Sequence, residues 1–171
     1  NRSNNQGGGI RNRGTLVLNN STVAANFTTS GSEGGGGIAN GGPYSLTLNN
    51  SLVYGNEAST FPGANEMVGV FTNNNSLVGV NPSFVTLLDA GDTAPTTGGD
   101  YRLADLSVAI DAGNNNLVPG GVTNDLDGNS RFYNDTGVAD TGTGTSPIVD
   151  IGAYEKQTNS VVSQADLSIT K

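Results

Sequence analysis

A short acidic turn, Asp125-Leu126-Asp127-Gly128-Asn129, is the stretch of this sequence best suited to hold a metal ion. Its side-chain oxygens recur at every second residue, and a glycine stands where the backbone must bend. A hard cation such as Ca²⁺ needs several oxygens that converge from one tight turn, and this pattern is typical of the first half of a calcium loop. The last ligand position of an EF-hand loop would be Thr136, so Asp135, Asp140 or Asp150 would have to supply the missing carboxylate.

Two interpretations of this turn stay open. In one, Asp125, Asp127 and Asn129 bind calcium weakly, and calcium is the only cofactor that the sequence suggests. In the other, Asp125 and Asp127 cap the turn by accepting backbone N–H groups, and Asp127 pairs with Arg131. The residues favour the second interpretation, because the completing acid of a calcium loop is missing.

The chain offers few candidates for catalysis. It contains no His and no Cys, which excludes imidazole bases, thiol nucleophiles and disulfides. Cleavage of a polysaccharide needs a basic residue beside calcium, or two carboxylates set apart for acid and base work on a sugar. Arg11 and Arg13 are the only closely spaced basic residues, and no acidic cluster lies beside them. We therefore expect no catalytic residues and no enzyme activity.

The elements that position these residues come from an internal repeat. Residues 7–26, GGGIRNRGTLVLNNSTVAAN, return at residues 35–56 as GGGIANGGPYSLTLNNSLVYGN. Ile10 aligns with Ile38 at a spacing of 28 residues, whereas the later part of the repeat aligns at a spacing of 30. The two extra residues therefore lie in a turn near Gly41. Periods of this length indicate a stacked array.

A third, shorter copy follows, because residues 74–78 repeat residues 49–53 after 25 residues. Within the copies, short apolar runs such as Leu16-Val17-Leu18 are broken by clusters of Asn, Ser and Gly, and no helical apolar stripe persists. Such a repeat cannot bury its apolar face alone, so the copies must stack, with each strand parallel to its counterpart in the next copy. The sequence therefore predicts an all-β fold, a parallel β-helix or solenoid.

The tripeptide Asn-Asn-Ser occupies the same place in all three copies. In a stack, equivalent residues lie about 4.8 Å apart, so Asn amides can bond the amides above and below them as a ladder. Asn also tolerates the left-handed backbone that a sharp corner requires. We therefore expect an Asn ladder at this turn.

Charge and hydropathy narrow the class of partner. With 15 acidic and 7 basic residues the net charge is −8, which disfavours association with nucleic acid and with anionic membrane surfaces. No apolar run is long enough for a membrane span. Residues 1–6 resemble the polar turn before Gly34, so we interpret them as the end of a preceding copy in a longer molecule.

Four blocks follow one another in the second half of the chain, namely DYRL (100–103), SVAIDAG (107–113), DLDGNSR (125–131) and VDIGAYE (149–155). They resemble the tract that closes the right-handed parallel β-helix proteins of the choice-of-anchor type on bacterial surfaces. The GGGI repeats are also similar to the GGxI and FxxN repeats of polymorphic outer-membrane proteins. Val23 and Val53 stand where those repeats have phenylalanine.

The resemblance implies a right-handed parallel β-helix (solenoid) with an irregular C-terminal closing segment. It also implies that Asp111 and Asp150, which lie inside the closing blocks, bond turn backbone and take no part in catalysis. We accordingly divide the chain into β-helix coils (1–90), C-terminal coils with the closing segment (91–155), and a linker with a lone strand (156–171).

The tail ends in ADLSITK (165–171), which is similar to the opening strand of the immunoglobulin-like conserved-repeat domains of large surface proteins. Leu167 and Ile169 would give this strand an apolar face without a sheet of its own. We therefore expect it to be able to join the open sheet of a neighbouring molecule.

Together these features predict an extracellular or cell-surface structural protein whose partners are copies of itself, assembled head to tail into a filament. Two alternatives stay open, an adhesin stalk segment and a carbohydrate-binding or carbohydrate-cleaving β-helix. The second would add surface glycans as partners, and it predicts a groove lined by acids and tyrosines. The available tyrosines are Tyr44, Tyr54, Tyr101, Tyr133 and Tyr154.

Overall fold

The structure, a computed structural model, describes residues 1–29, 34–59, 66–91 and 98–157. The predicted lone strand at residues 165–171 lies outside them. The strands of the described residues are, in chain order, β1 (Arg2–Ser3), β2 (Ile10–Asn12), β3 (Thr15–Asn19), β4 (Thr22–Ala24), β5 (Phe27–Thr28), β6 (Ile38–Asn40), β7 (Ser45–Asn49), β8 (Leu52–Tyr54), β9 (Glu57–Ala58), β10 (Met67–Val68), β11 (Thr72–Asn74), β12 (Leu77–Val78), β13 (Phe84–Thr86) and β14 (Asp100–Leu103).

Twelve of these strands form four parallel sheets. Sheet A contains β1, β5 and β9; sheet B contains β2, β6 and β10; sheet C contains β3, β7 and β11; sheet D contains β4, β8 and β12. We refer to β2–β5 as repeat 1, to β6–β9 as repeat 2 and to β10–β12 as repeat 3. The predicted all-β fold with parallel stacking is confirmed, and the arrangement is compatible with a β-helix-like solenoid.

The register of the sheets follows the internal repeat of the sequence. Ile10 lies opposite Ile38 in sheet B, and Leu16 lies opposite Leu46 in sheet C. The two extra residues of repeat 2 fall in the turn between β6 and β7, where residues 41–44 replace the two residues between β2 and β3. The predicted position of the insertion is therefore confirmed.

The glycine triplets allow backbone segments to approach closely, both between repeats 1 and 2 and within repeat 2. The Gly9 N–H donates to the carbonyl of Gly36 at 3.1 Å. A Cβ on Gly8 would lie 2.3 Å from that same carbonyl oxygen, and a Cβ on Gly36 would lie 2.2 Å from the carbonyl oxygen of Glu57. Only glycine fits at these two positions, since the neighbouring atoms belong to the backbone.

One apolar cluster fills the inside of the stack, and its burial changes from repeat to repeat. In repeat 2, Ile38, Leu48 and Val53 are fully buried and Leu46 is 2% exposed. In repeat 1, Val23 is also buried, at 8% exposure. The other apolar residues of the outer repeats that pack against this cluster are only partly buried, namely Ile10, Leu16 and Leu18 in repeat 1 and Met67, Phe71 and Val78 in repeat 3. Among the described residues, the strands of the outer repeats in sheets B, C and D have a neighbouring strand on one side only.

In each Asn-Asn-Ser turn, the first asparagine forms the predicted ladder and the second adopts the predicted left-handed backbone. The first forms the ladder: Asn74 Nδ2 donates to Asn49 Oδ1 at 2.8 Å, and Asn49 Nδ2 donates to Asn19 Oδ1 at 2.7 Å. The second takes the left-handed corner, with φ of 42° at Asn20 and 46° at Asn50. The predicted Asn ladder is confirmed.

A second, more deeply buried ladder lies at the turn between sheets D and A. Asn1 Nδ2 donates to Asn26 Oδ1 at 3.1 Å, and Asn26 Nδ2 donates to Asn56 Oδ1 at 2.8 Å. Asn56 Nδ2 then donates to the carboxylate of Glu66 at 2.7 Å. Glu66 also accepts the N–H groups of Gly55 and Asn56, so a carboxylate ends this column of amides. Burial raises the pKa of Glu66, and these hydrogen bonds oppose the rise.

The closing segment packs beside the stack, on the outer face of sheet D. Adjacent side chains on a strand point to opposite faces, so Leu52 points outward where Val53 points into the stack. Leu52 forms a second apolar cluster with Leu103, Ile110 and Ile151, among others. β13 pairs antiparallel with β14 at the edge of this region. The only helical segment of the described residues is a 3₁₀ turn. No helix in this part of the chain is long and apolar enough to cross a membrane.

We expect Asn56→Ala to lower the free energy of unfolding by about 3 kcal/mol, because it leaves several buried groups without partners. Asn56 accepts from the backbone and side chain of Asn26 and donates to the carbonyl of Val23 and to Glu66. Asn19→Ala is the matched control, since Asn19 is partly exposed at the end of its ladder, and we expect it to cost about 1 kcal/mol or less. Equal losses in urea titration would contradict the ladder as a stabilising element.

Candidate functional site

The closing segment gathers five acidic residues whose carboxylates are almost completely buried. We call Asp111, Asp125, Asp135, Asp150 and Glu155 the carboxylate network, and none of them is more than 8% exposed. Isolated buried carboxylates are costly, so each must accept hydrogen bonds or pair with a cation. Their partners therefore define how the last three sequence blocks and the segment around Asp135 fit together.

The carboxylates are joined through backbone N–H groups. The N–H of Glu155 donates to Asp125 at 2.9 Å, the N–H of Asp150 donates to Glu155 at 3.0 Å, and the N–H of Asp111 donates to Asp150 at 2.7 Å. The N–H of Asp135 donates to Asp111 at 3.1 Å. Each acid thus holds the backbone of the next acid in the network. The prediction that Asp111 and Asp150 bond turn backbone is confirmed.

Arg131 is the only cation among these buried groups that the structure describes. Its guanidinium donates to the carbonyls of Gly152 and Ala153 and lies 3.4 Å from the Glu155 carboxylate. Both side chains are at most 3% exposed. The expected pair between Arg131 and Asp127 is wrong, because Arg131 turns inward to the VDIGAYE block whereas Asp127 lies at the surface.

The acidic turn itself is closed by one of its own carboxylates. Asp125 Oδ1 accepts the N–H groups of Asp127 at 3.0 Å and of Asn129 at 2.7 Å, which confirms Asp125 as a cap. Its other oxygen accepts the N–H of Glu155. Asp127 takes a different partner, since its carboxylate lies 2.7 Å from Nε of the exposed Arg102. Nothing in the described residues tests Asp127 as a cap.

Metal binding at the acidic turn is opposed by the protein groups that its carboxylate oxygens already contact. Both oxygens of Asp125 accept backbone N–H groups, and Asp127 is neutralised by Arg102. In the residues that the structure describes, no three acidic side chains form a group that would hold a metal ion. Calcium at Asp125, Asp127 and Asn129 stays a prediction, and it requires that Arg102 give up its ion pair.

Burial raises the pKa values of three members of the carboxylate network. Burial raises the pKa of Asp150 to about 7, against opposing hydrogen bonds from the N–H groups of Lys156 and Asp111. Burial also raises the pKa of Asp111 to about 6, and one oxygen of Asp111 has no hydrogen-bond partner. Burial raises the pKa of Glu155 as well, with Asp150 adding to the rise and Arg131 opposing it.

A polar cleft of about 430 Å³ opens beside the network. Its charged lining consists of Asp100, Arg102, Asp127, Glu155 and Lys156. Of the five tyrosines that could line a carbohydrate groove, Tyr101 packs its ring edge-on against Phe84 with centroids 5.5 Å apart. The cleft therefore offers carboxylate and guanidinium groups to a hydroxylated ligand, without a tyrosine in its lining.

Sequence reasoning missed two members of the network. Glu155 was part of a recognised block but had no predicted role, and Asp135 was considered only as a calcium ligand. The available signal was the recurrence of acidic residues in all four closing blocks, with Arg131 at the end of the third. Searches among protein families, curated proteins and solved structures found no match to this chain.

We expect no calcium binding at the acidic turn tighter than about 10⁻⁴ M, because too few free oxygens converge there. Calorimetric titration of the parent and of Asp127→Ala measures this affinity. A submicromolar site that Asp127→Ala abolishes would contradict the expectation, whereas the absence of heat at millimolar calcium would remove the site altogether.

We expect the free energy of unfolding to fall as the pH rises from about 4 to about 7. Asp150 and Asp111 have raised pKa values in the folded state, so the folded state retains protons that the unfolded state has released. Their contribution is complete below about pH 4 and is lost as the pH passes through the folded-state pKa values, by at most about 1.4 kcal/mol per pH unit for each group.

Asp150→Asn should flatten this dependence, since the amide does not titrate. Asp89→Asn makes the same chemical change at an exposed acid outside the network and serves as control. Urea unfolding at four pH values between 4 and 7 measures the slope. An unchanged slope in Asp150→Asn, or a parent whose stability rises over this range, would refute the assignment.

Proposed function

We propose that this chain is a rigid structural module of an extracellular or cell-surface assembly, a right-handed parallel β-helix that is continued end to end by further coils. The observation that carries the proposal is the burial gradient inside the stack. Ile38 of repeat 2 is fully buried, whereas its equivalents Ile10 and Met67 in the outer repeats are only partly buried. Apolar side chains at both end faces favour continuation of the stack.

The exposed strand edges support the same proposal. Sheets B, C and D end at β2, β3 and β4 on one side and at β10, β11 and β12 on the other. No strand of the described residues pairs with the outer edges of these six strands. Such edges present unpaired N–H and carbonyl groups to another strand. The strands at both ends pair in parallel with their inner neighbours, so a further coil of the same kind would extend the same parallel sheets.

Handedness and location rest on other arguments. Connections between parallel strands of one sheet are right-handed in nearly all known proteins, which supports a right-handed coil. The extracellular location rests on the resemblance of the closing blocks to those of bacterial surface proteins. Donation of the strand at residues 165–171 to a neighbour stays a hypothesis, because those residues lie outside the described part of the chain.

A carbohydrate-binding role is the second candidate, and the cleft lined by Asp100, Arg102 and Asp127 favours it. Carboxylate and guanidinium groups together can hydrogen-bond vicinal hydroxyl groups. The cleft is lined by residues of the closing segment and of β13, and by no strand of the four parallel sheets. The two roles are therefore separable by experiment.

Under the structural proposal we expect antibodies against the chain to label intact source cells or the material around them without permeabilisation. We also expect no release of reducing sugars from any polysaccharide. Labelling only after permeabilisation would overturn the extracellular location, and clear turnover of a polysaccharide would overturn the structural role. Binding on a glycan array that is lost in Arg102→Ala, with no turnover, would add the second function to the first.

A further inference from the structure

The second asparagines of the Asn-Asn-Ser turns hold the closing segment by its backbone. Asn50 Nδ2 donates to the carbonyl of Asn114 at 2.9 Å, and Asn50 Oδ1 accepts the N–H of the same residue at 2.8 Å. Asn75 Nδ2 donates to the carbonyl of Ala112 at 2.7 Å. These asparagines therefore bind alternate residues of one run of main chain, residues 112–114.

The backbone that Asn50 holds is extended. Asn114 has φ of −121° and ψ of 110°. In extended backbone the N–H and the carbonyl of one residue point to the same side, as they do at the edge of a sheet. An asparagine amide carries a donor and an acceptor side by side, so it can bond both groups at once. Asn50 thus recognises an extended residue through its main chain.

Asn20 is the corresponding residue of repeat 1, and its amide has no such partner. It shares the left-handed backbone, with φ of 42° against 46° at Asn50. Asn20 is only 8% exposed, yet neither its Nδ2 nor its Oδ1 has a hydrogen-bond partner in the part of the chain that the structure describes. A buried amide without partners is costly, so this one needs an explanation.

The partner that Asn20 lacks belongs beside the stack. Bonds between repeats are made by the first asparagine of each turn, whereas the side chains of Asn50 and Asn75 bond sideways to the closing segment. The run at residues 112–114 continues into the 3₁₀ turn Asn115–Leu117 instead of extending further along the column. Asn20 therefore lacks an extended segment of the kind that Asn50 already holds.

Asn20 lines a pocket of about 440 Å³ together with residues of the closing segment, among them Leu126 and Arg131. Arg131 is 3% exposed, and its Nε is also without a hydrogen-bond partner in the described residues. Two donors, Asn20 Nδ2 and Arg131 Nε, and one acceptor, Asn20 Oδ1, are thus left unused at this pocket. Their number and kind match the main chain of a short peptide.

We propose that this pocket binds an extended peptide segment of a partner protein, with Asn20 holding one residue of it as Asn50 holds Asn114. The N–H of that residue donates to Asn20 Oδ1, and its carbonyl accepts from Asn20 Nδ2. Arg131 Nε donates to a second carbonyl of the peptide. Main-chain hydrogen bonds are a common source of affinity for extended peptides. This role goes beyond the proposed structural function and does not depend on it.

The pocket must open slightly to admit the peptide, since the amide atoms of Asn20 and Nε of Arg131 have almost no accessible surface. The Leu126 side chain lines the same pocket and is 68% exposed, so it can move at the least cost in packing. The net charge of −8 favours a neutral or basic peptide over an acidic one.

Urea unfolding of the unbound chain is the first test. We expect Asn20→Gly to keep the unfolding midpoint of the parent, because glycine accepts the left-handed backbone and no side-chain hydrogen bond is lost. Asn50→Gly should lower the midpoint, because it loses both bonds to Asn114. Equal losses in the two variants would show that Asn20 already has a partner, and would overturn the proposal.

Nuclear magnetic resonance titration with the blocked peptide acetyl-Ala-Ala-Ala-N-methylamide is the second test. We expect saturable shifts of the Asn20 side-chain amide and of Leu126, and binding at least tenfold weaker in Asn20→Gly. Ser83→Gly is the matched control, since Ser83 is also left-handed, with φ of 55°, is exposed, and does not line the pocket. We expect it to bind the peptide like the parent.

Three results would overturn the peptide site. They are the absence of shifts at millimolar peptide, equal binding by the parent and Asn20→Gly, and shifts confined to the cleft residues Arg102 and Asn129. Shifts of the Asn20 amide with N-acetylglucosamine but not with the peptide would also overturn it, in favour of an amide carried by a sugar. If Asn20→Gly fails to fold, Asn20→Asp replaces it, because Asp keeps the shape of the side chain and removes the donor.

Discussion

Buried amide groups that must find their hydrogen-bond partners in the adjacent repeat are the constraint on which the stack depends. In a parallel stack the equivalent residue is the nearest partner, about one strand spacing away. Asn26 and Asn56 meet this requirement by bonding each other and the nearby backbone, at 5% and 1% exposure. A shift of register by one residue would leave these groups unpaired and move the interior leucines to the surface. The ladders therefore select the register that also buries the apolar cluster.

In the closing segment, buried polar groups find their hydrogen-bond partners in carboxylates instead of amides. A carboxylate accepts several hydrogen bonds and donates none when ionised, so it cannot repeat as a column, but it can gather backbone N–H groups from turns that lack regular partners. Asp125 holds three such groups, and Glu66 plays the same part at the end of the Asn26 column. Irregular backbone is thereby held in place without strands, and burial raises the pKa of Asp150 and Asp111 as a consequence.

The sequence predicted the parallel sheets well because the repeat carries its own register: residues that recur in sequence become partners in space. Ile10 with Ile38, and Asn19 with Asn49, needed no other information. The network could not be predicted in this way, since three of its four backbone contacts join residues 24 to 39 positions apart that belong to no internal repeat. The expected pair of Arg131 with Asp127 relied on closeness in sequence, and it was wrong because burial draws the guanidinium towards Glu155. Leu52 gave a weak signal for the packing of the closing segment, as it adds an outward apolar residue where repeat 1 has Thr22.

Directionality is the last consequence of the ladders. Parallel strands make the two ends of a stack different, and the amide columns reinforce the difference because each donates in a single direction. The Asn19 column donates towards repeat 1, whereas the Asn26 column donates towards repeat 3. Contacts between unlike ends are heterologous, and they produce an open array unless the rotation between copies closes a ring. The opposite donor directions of the two columns therefore give each end face its own hydrogen-bonding character, so the direction of the stack is fixed by side chains as well as by the strands.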